Sequence, residues 1–369
     1  MPYTDDRSLI TCGGDGQVRL AQISECGVET RLLAKHQCNA SDLAFEPGSP
    51  HLIYTCGEDS LVQHIDIRTA AAIELLRCQP ICGCRVQNPV ISLHAITIDP
   101  RNPNVFAVVR SDQYARLYDI RKYKCGGFTG YCKYKCGGSL YAIIIDLRTA
   151  ADTKLLRCQP ICGCRVRNPV ISLYAIAIDP RNPNVFAVVG SNQYARLYDI
   201  CKYKCGGSTD FGQPIDYFYP PHVIVSTNAI SYQGELLVSY RDNLIYLFTR
   251  DMGLGHNLVP SSPSSSCSEA NGKDIPQVYK GHGKKETDSV SFFGPKSEFV
   301  VSESGNGRVY IWKKKCGELV CAKKEHVLGV DCIESHPHTT VLASSGADGI
   351  KIWAPNAIDK AMLPATKLE

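Results

Sequence analysis

The 369-residue sequence lacks several features that define large classes of protein. It has no run of 18 apolar residues and no apolar stretch behind a basic start, so we expect neither a membrane span nor a secretory leader. Lys and Arg (40) nearly balance Asp and Glu (36), and a net charge of +4 argues against a nucleic-acid surface. A P-loop, G-x-S-x-G, H-E-x-x-H and a Cys-His nucleophile pair are all missing, so we predict no enzyme and no cofactor.

Cysteine is the residue in excess, with 19 in the chain. Without a leader we expect a reducing nucleus or cytoplasm, where most of these residues stay free thiols. The densest cluster has C-x3-C-x-C spacing at 78–84, repeated at 158–164, and lacks the paired C-x2-C knuckles of structural zinc sites. The His-Pro-His run at 336–338 is interpreted as a structural turn because proline separates the two histidines. We therefore predict no metal site.

A repeated turn-plus-strand element is what the sequence contains instead. In each copy an apolar run leads to an acidic or amide turn residue, which can adopt the left-handed conformation and cap its own backbone, and then to an alternating strand. Further strands lie upstream and end at proline, as in LHAITIDP and DSVSFFGP. The turn residues of the seven copies are Asp15, Asp59, Asp112, Asn192, Asp242, Asn306 and Asp348.

Such repeats predict four-stranded sheets that must pack on one another, because no single sheet buries both of its faces. We predict an all-β WD-repeat propeller of about seven blades over residues 1–357, followed by a tail at 358–369. WD repeats place a hydrogen-bonded histidine, hydroxyl and indole in one blade, and the pattern predicts that His282, Ser302 and Trp312 fill these positions. Their predicted role is structural.

A near-identical duplication interrupts this regular pattern. Residues 65–127 match 145–207 without a gap and differ at ten of 63 positions, which indicates a recent copying of the segment or an error in the gene model. Residues 139–148 then form a third-strand-like segment with no hairpin partner before it, and we predict that 122–144 leave the ring. Residues 251–276 are rich in Pro, Ser and Gly and are predicted to be a flexible inter-strand loop.

Several stretches carry a resemblance to one group of WD-repeat proteins. They are 12–23 (CGGDGQVRLAQI), 57–68, 98–122, 280–304, 312–320 and 334–357. They resemble the damaged-DNA-binding-protein-1- and cullin-4-associated factor 8 group, substrate receptors of a cullin-4 RING ubiquitin ligase. The resemblance implies a non-catalytic propeller that docks the ligase adaptor and recruits an unknown protein in the nucleus, the cytoplasm or both. In that group the propeller begins well before the strand that follows the first turn residue, Asp15. We therefore expect an N-terminal truncation, with the first sheet lacking its innermost strand.

The resemblance also implies which residues dock the adaptor: an acidic turn residue followed by an aromatic-Asp-x-Arg ending. Residues 112–121 fit this signature fully, and 59–68 fit it except that Ile65 replaces the aromatic residue. The implied docking residues are Asp59, Asp66, Arg68, Asp112, Tyr118, Asp119 and Arg121. The copied blade has Asn192 and Cys201 instead of the acid and the arginine, and should not dock. Three alternatives stay open: Asp-x-Arg pairs that only tie loops, a general scaffold without a ligase, and a degraded non-functional copy.

Overall fold

Strands make up almost all the regular structure of the chain. The computed structural model describes residues 7–24, 26–77, 92–110, 114–119, 142–143, 154–157, 172–199, 214–220, 227–241, 244–255, 275–281, 289–324, 326–327, 329–336 and 339–355. These residues form seven antiparallel sheets, and their one helical element is a 3-10 turn at Arg250–Met252. None of the described residues belongs to a helix that is long and apolar enough to cross a membrane. The prediction of an all-β propeller with seven blades is confirmed.

The chain divides into two compact units. The first comprises Met1–Ser191, Arg196–Asp216 and Gly255–Ser262, and the second comprises Asn192–Ala195, Tyr217–Leu254 and Pro263–Glu369.

The first three sheets lie in the first unit. The first contains β1 (Ser8–Cys12), β2 (Gln17–Ser24) and β3 (Gly27–Lys35). The second contains β4 (Ala40–Phe45), β5 (Leu52–Gly57), β6 (Leu61–Asp66) and β7 (Ala71–Arg77). The third contains β8 (Leu93–Ile98), β9 (Val105–Arg110), β10 (Tyr114–Asp119), β11 (Ala142–Ile143) and β12 (Lys154–Arg157), with β12 between β10 and β11.

The other four sheets follow in chain order. The fourth contains β13 (Leu173–Ile178), β14 (Val185–Gly190), β15 (Asn192–Asp199) and β16 (Asp216–Phe218). The fifth contains β17 (Thr227–Tyr232), β18 (Leu236–Tyr240), β19 (Ile245–Phe248) and β20 (Gln277–Tyr279). The sixth contains β21 (Val290–Phe293), β22 (Phe299–Ser304), β23 (Arg308–Lys313) and β24 (Leu319–Lys324). The seventh contains β25 (Val330–Ser335), β26 (Leu342–Gly346) and β27 (Gly349–Trp353).

The strands of the seven predicted turn-plus-strand elements lie in the seven sheets, one in each, and the turns at Asp112 and Asp242 lie outside the described residues. The side-chain oxygen of the turn residue accepts the backbone N–H two positions later, at 2.9 Å for Asp15 and 3.1 Å for Asn306. The predicted left-handed conformation, however, belongs to the next residue: φ is +73° at Gly16 and +67° at Ser60. The Asp or Asn therefore caps the turn, and the residue after it reverses the chain.

The core consists of side chains that pack between successive sheets. Ile10 and Val18 of the first sheet pack with Ile53 and Ile65 of the second. On the other face of the second sheet, Tyr54 and Val62 pack with Leu93 and Phe106 of the third. Because neighbouring strand residues point to opposite faces, one sheet contributes to two core layers. The second sheet thus buries both of its faces against its two neighbours.

Among the described residues, the first, third and seventh sheets depart from the four-stranded plan. Among the described residues of 7–35, the first sheet has three strands, which match the second to fourth strands of its neighbour, and the seventh sheet also has three. Residues 1–6 lie outside the described residues, so the missing innermost strand stays a prediction. In the third sheet the copied segment supplies the fourth strand, because β12 pairs with β10, and β11 then pairs with β12. The third-strand-like segment at 139–148 therefore has a partner that follows it in sequence. Most of 122–144 lies outside the described residues.

The Ser-rich segment joins two strands of one sheet. It follows β19 and precedes β20, and both strands belong to the fifth sheet. At its start the backbone N–H of Leu254 donates to the Tyr217 carbonyl at 3.0 Å. Residues 256–274 lie outside the described residues, so the flexibility of this loop stays a prediction.

Candidate protein-docking site

The end of β6 presents an arginine that its own chain holds in a fixed direction. Arg68 Nε and Nη2 donate to Asp66 Oδ1 and Oδ2 at 3.1 and 2.8 Å. The backbone N–H of Arg68 donates to Asp66 Oδ1 as well, at 3.0 Å. A guanidinium bound by both carboxylate oxygens has a defined plane, which a single contact would not impose.

Arg68 is open to a partner although it is paired. Its side chain is 63% exposed, whereas that of Asp66 is 23% exposed. The Arg68 guanidinium lowers the pKa of the Asp66 carboxyl to about 2, so the pair stays charged across the physiological range. None of the described residues accepts a hydrogen bond from Arg68 Nη1. This group therefore keeps its charge-assisted donors available for a partner.

The turn that carries Arg68 is anchored on its inner side. The Ile67 side chain is 4% exposed and packs in the core between the first two sheets. Its backbone N–H donates to the His51 carbonyl at 2.8 Å. Ala70 then reverses the chain with φ at +53°, and the Ala71 N–H donates to Thr69 Oγ1 at 3.3 Å. The Asp66–Arg68 pair thus lies on a short turn with a buried anchor.

Asp59 was predicted to dock the adaptor, but the structure places its side chain inside the sheet, with 2% exposed. Its carboxylate accepts the backbone N–H groups of Gln37 and Leu61 at 2.8 and 3.1 Å, and His36 Nδ1 lies 3.0 Å away. His36 Nε2 in turn lies 3.0 Å from Thr55 Oγ1. Asp59 is therefore a buried, hydrogen-bonded residue at the opposite end of β6 from Asp66, and its docking role stays a prediction.

The second predicted docking signature is described only in part. Tyr118 is half-buried and stacks on Phe106, with ring centroids 5.4 Å apart. In the copied blade, Tyr198 stacks on Phe186 in the same way and is fully buried. The aromatic position of the signature therefore packs between strands. Asp119 ends β10, whereas Asp112 and Arg121 lie outside the described residues and their docking role stays a prediction.

The predicted network of histidine, hydroxyl and indole is most complete in the seventh sheet. His326 Nδ1 lies 2.5 Å from Asp348 Oδ1, and its Nε2 lies 2.9 Å from Ser344 Oγ. Trp353 Nε1 donates to the same hydroxyl at 2.8 Å. The hydrogen bond from His326 holds the pKa of Asp348 well below its usual range. Sequence reasoning missed this set because it looked for a Gly-His pair, whereas Glu325 precedes this histidine.

In the sixth sheet the predicted residues bond differently. Trp312 Nε1 donates to the Lys280 carbonyl at 3.0 Å, and Ser302 Oγ donates to the Ser289 carbonyl at 3.1 Å. Both side chains are fully buried, which supports a structural role. His282 lies outside the described residues. In the second and seventh sheets, the histidine, the hydroxyl residue and the aspartate follow one another along the chain with nearly the same spacing. This shared spacing is the signal that could have located both networks from the sequence.

Metal ligation finds no support in the described part of the chain. No group of three or more His, Cys, Asp or Glu side chains there could hold an ion. His336 Nδ1 accepts the backbone N–H of Thr339 at 3.0 Å, which is the turn contact expected for the first histidine of its run.

Comparisons with known proteins show the fold and a sequence similarity that covers only part of the chain. Protein ALTERED SEED GERMINATION 2 of Arabidopsis thaliana is 43% identical over 89 residues, which is 23% of this chain and 12% of that protein. Human DDB1- and CUL4-associated factor 6 is 38% identical over 86 residues, 22% of this chain and 10% of that protein. The alignments thus span about a tenth of these relatives' lengths. No family model matches the chain.

Among solved structures, the β-propeller domain of Myceliophteria thermophila Cps50 (Swd1) superposes with a TM-score of 0.62 at 16% identity. The match covers 95% of this chain and 94% of that one, and at this identity it shows the fold alone. Together the comparisons support a WD-repeat β-propeller suited to protein interaction. Propellers of this type generally act as non-enzymatic scaffolds.

Proposed function

We propose that this chain is a substrate receptor of a cullin-4 RING ubiquitin ligase and docks the ligase adaptor through the turn after β6. The observation that carries the proposal is the exposed guanidinium of Arg68, which the Asp66 carboxylate holds at two points. The partial similarity to a protein named DDB1- and CUL4-associated factor 6 supports the choice of partner. The narrower assignment to the factor 8 group is part of the proposal.

The geometry suits docking because the cost of ordering the arginine is met before the partner arrives. A free arginine loses side-chain entropy when it binds, whereas Arg68 is already held by Asp66. Its Nη1 group can donate to a carboxylate or to backbone carbonyls of the adaptor. Arginine is among the residues that most often dominate binding at protein interfaces.

In this role the propeller supplies proximity and catalyses nothing. One surface binds the adaptor, another binds the protein to be ubiquitinated, and the cullin-bound enzymes carry out the transfer. Such a receptor works in the nucleus, the cytoplasm or both, and its target is a protein still to be identified.

The test is the affinity of the purified chain for the purified adaptor, damaged-DNA-binding protein 1, measured by biolayer interferometry. Arg68→Ala should weaken binding by about tenfold or more, because a central interface arginine commonly contributes that much. Arg19→Ala is the matched control: Arg19 forms a similar exposed pair with Asp15, at 2.8 Å, on the first sheet. Unchanged affinity in Arg68→Ala would contradict the proposal and favour a general scaffold without a ligase.

A further inference from the structure

A second arginine, from the neighbouring sheet, reaches the docking turn. Arg31 lies on β3, whose sheet packs against the second sheet, and β3 contacts β7 of that sheet. Arg31 Nη2 donates to the Ile67 carbonyl. Its Nη1 donates to the Arg68 carbonyl at 3.4 Å. One guanidinium thus bridges two consecutive carbonyls of the turn.

These two carbonyls flank the α-carbon of Arg68. The Ile67 carbonyl belongs to the peptide plane before that carbon, and the Arg68 carbonyl belongs to the plane after it. Because peptide units are rigid planes, holding both carbonyls restricts the φ and ψ angles of Arg68. The direction of its Cα–Cβ bond follows from these angles. Asp66 then fixes the far end of the same side chain.

The contact adds little to the fold itself. Arg31 is exposed on the last strand of its sheet, and the Arg68 carbonyl belongs to an exposed turn residue. The Ile67 carbonyl is part-buried, and the Ile67 side chain packs in the core without Arg31. Without these two bonds the Arg31 guanidinium would donate to water instead, so the bonds contribute little net stability. Their effect is on the direction of Arg68.

We infer that Arg31 is a positioning residue: it presets the orientation in which Arg68 meets the partner, so the first sheet takes part in docking without touching the adaptor. The inference rests on the function proposed above. The inference also predicts that lysine at position 31 cannot fully replace arginine, because its single ammonium group lacks the planar fork that spans two carbonyls.

The test is a double-mutant cycle on adaptor affinity with Arg31→Ala, Arg68→Ala and the combined variant. Arg31→Ala should weaken binding by about fivefold, and Arg31→Lys should recover part of this loss. In the Arg68→Ala background, Arg31→Ala should change affinity by less than about twofold, since a positioning residue has nothing left to position. Arg19→Ala again serves as the control for losing an exposed arginine from the first sheet.

Amide hydrogen exchange of the unbound protein gives a readout that needs no adaptor. Arg31→Ala should accelerate exchange in the peptide covering 66–71 and leave 52–57 unchanged. Equal exchange, or fully additive losses in the double mutant, would overturn the inference, because Arg31 would then not order the turn or would contact the adaptor itself. A loss with Arg68→Ala but none with Arg31→Ala also overturns it and leaves the proposed function intact. No loss with Arg68→Ala removes the proposed function and this inference with it.

Discussion

Asp59 offers the sharpest test of the packing in the second sheet. Asp59→Ala removes the acceptor for His36 Nδ1 and for the backbone N–H groups of Gln37 and Leu61. Side-chain exposure is 0% for His36 and 2% for Asp59, so water replaces the lost acceptor poorly. Breaking a buried hydrogen-bonded pair costs about 3–5 kcal/mol. This is a large fraction of the roughly 5–15 kcal/mol that stabilises most folded proteins.

The measurement is urea denaturation followed by circular dichroism, together with amide exchange over 36–61. Asp59→Ala should lower the urea midpoint and raise exchange in this segment. Asp59→Asn, which keeps one acceptor oxygen, should have a smaller effect. Asp66→Ala is the control, because an exposed ion pair contributes little to stability and its midpoint should hardly change. Equal midpoints for Asp59→Ala and Asp66→Ala would show that the buried network does not stabilise the sheet.

The same variants separate structure from docking. Folded Asp59→Asn should bind the adaptor as the parent does, since Asp59 is buried at the other end of β6 from Arg68. If its affinity fell as far as that of Arg68→Ala, the sequence-based role of Asp59 in docking would be right after all.

Two further predictions concern backbone space and pH. Gly16→Ala should destabilise the fold by more than about 2 kcal/mol, because φ is +73° and a Cβ would lie 2.5 Å from the Cys38 carbonyl oxygen. Gly48 also has φ at +79°, but a Cβ there would have no atom within 4 Å, so Gly48→Ala should destabilise the fold only through the strained backbone conformation. Equal losses of stability for the two variants in urea denaturation would refute the steric argument. Burial raises the pKa of Asp42 to about 6 although the Ile96 N–H donates to its carboxyl. The folded state therefore keeps a proton that the unfolded state releases, so stability should fall as pH rises from about 4 to 6, and Asp42→Asn should flatten this trend in urea midpoints.

Much of the fold could be predicted from the sequence because its determinants are local. An apolar run, an Asx turn and an alternating strand follow one another within about twenty residues, and hairpin pairing needs little more. Turns such as those at Asp15 and Asn306 were therefore found from the sequence. Even so, the left-handed residue was assigned one position too early, because the pattern shows that a turn exists but not which φ angle each residue adopts.

The candidate site was harder to predict because its geometry depends on contacts between elements. The Asp-x-Arg spacing alone determined that Asp66 and Arg68 could pair, since they are two residues apart and follow one strand. The docking signature assigned Asp59 to the adaptor surface as well, because the burial of a turn residue cannot be inferred from its identity. The tertiary structure decided that Asp59 lies beneath His36 and that Arg31, 37 residues before Arg68, reaches its carbonyl. Such contacts join separate strands or sheets, and only the packing of one sheet on the next determines which side chains meet.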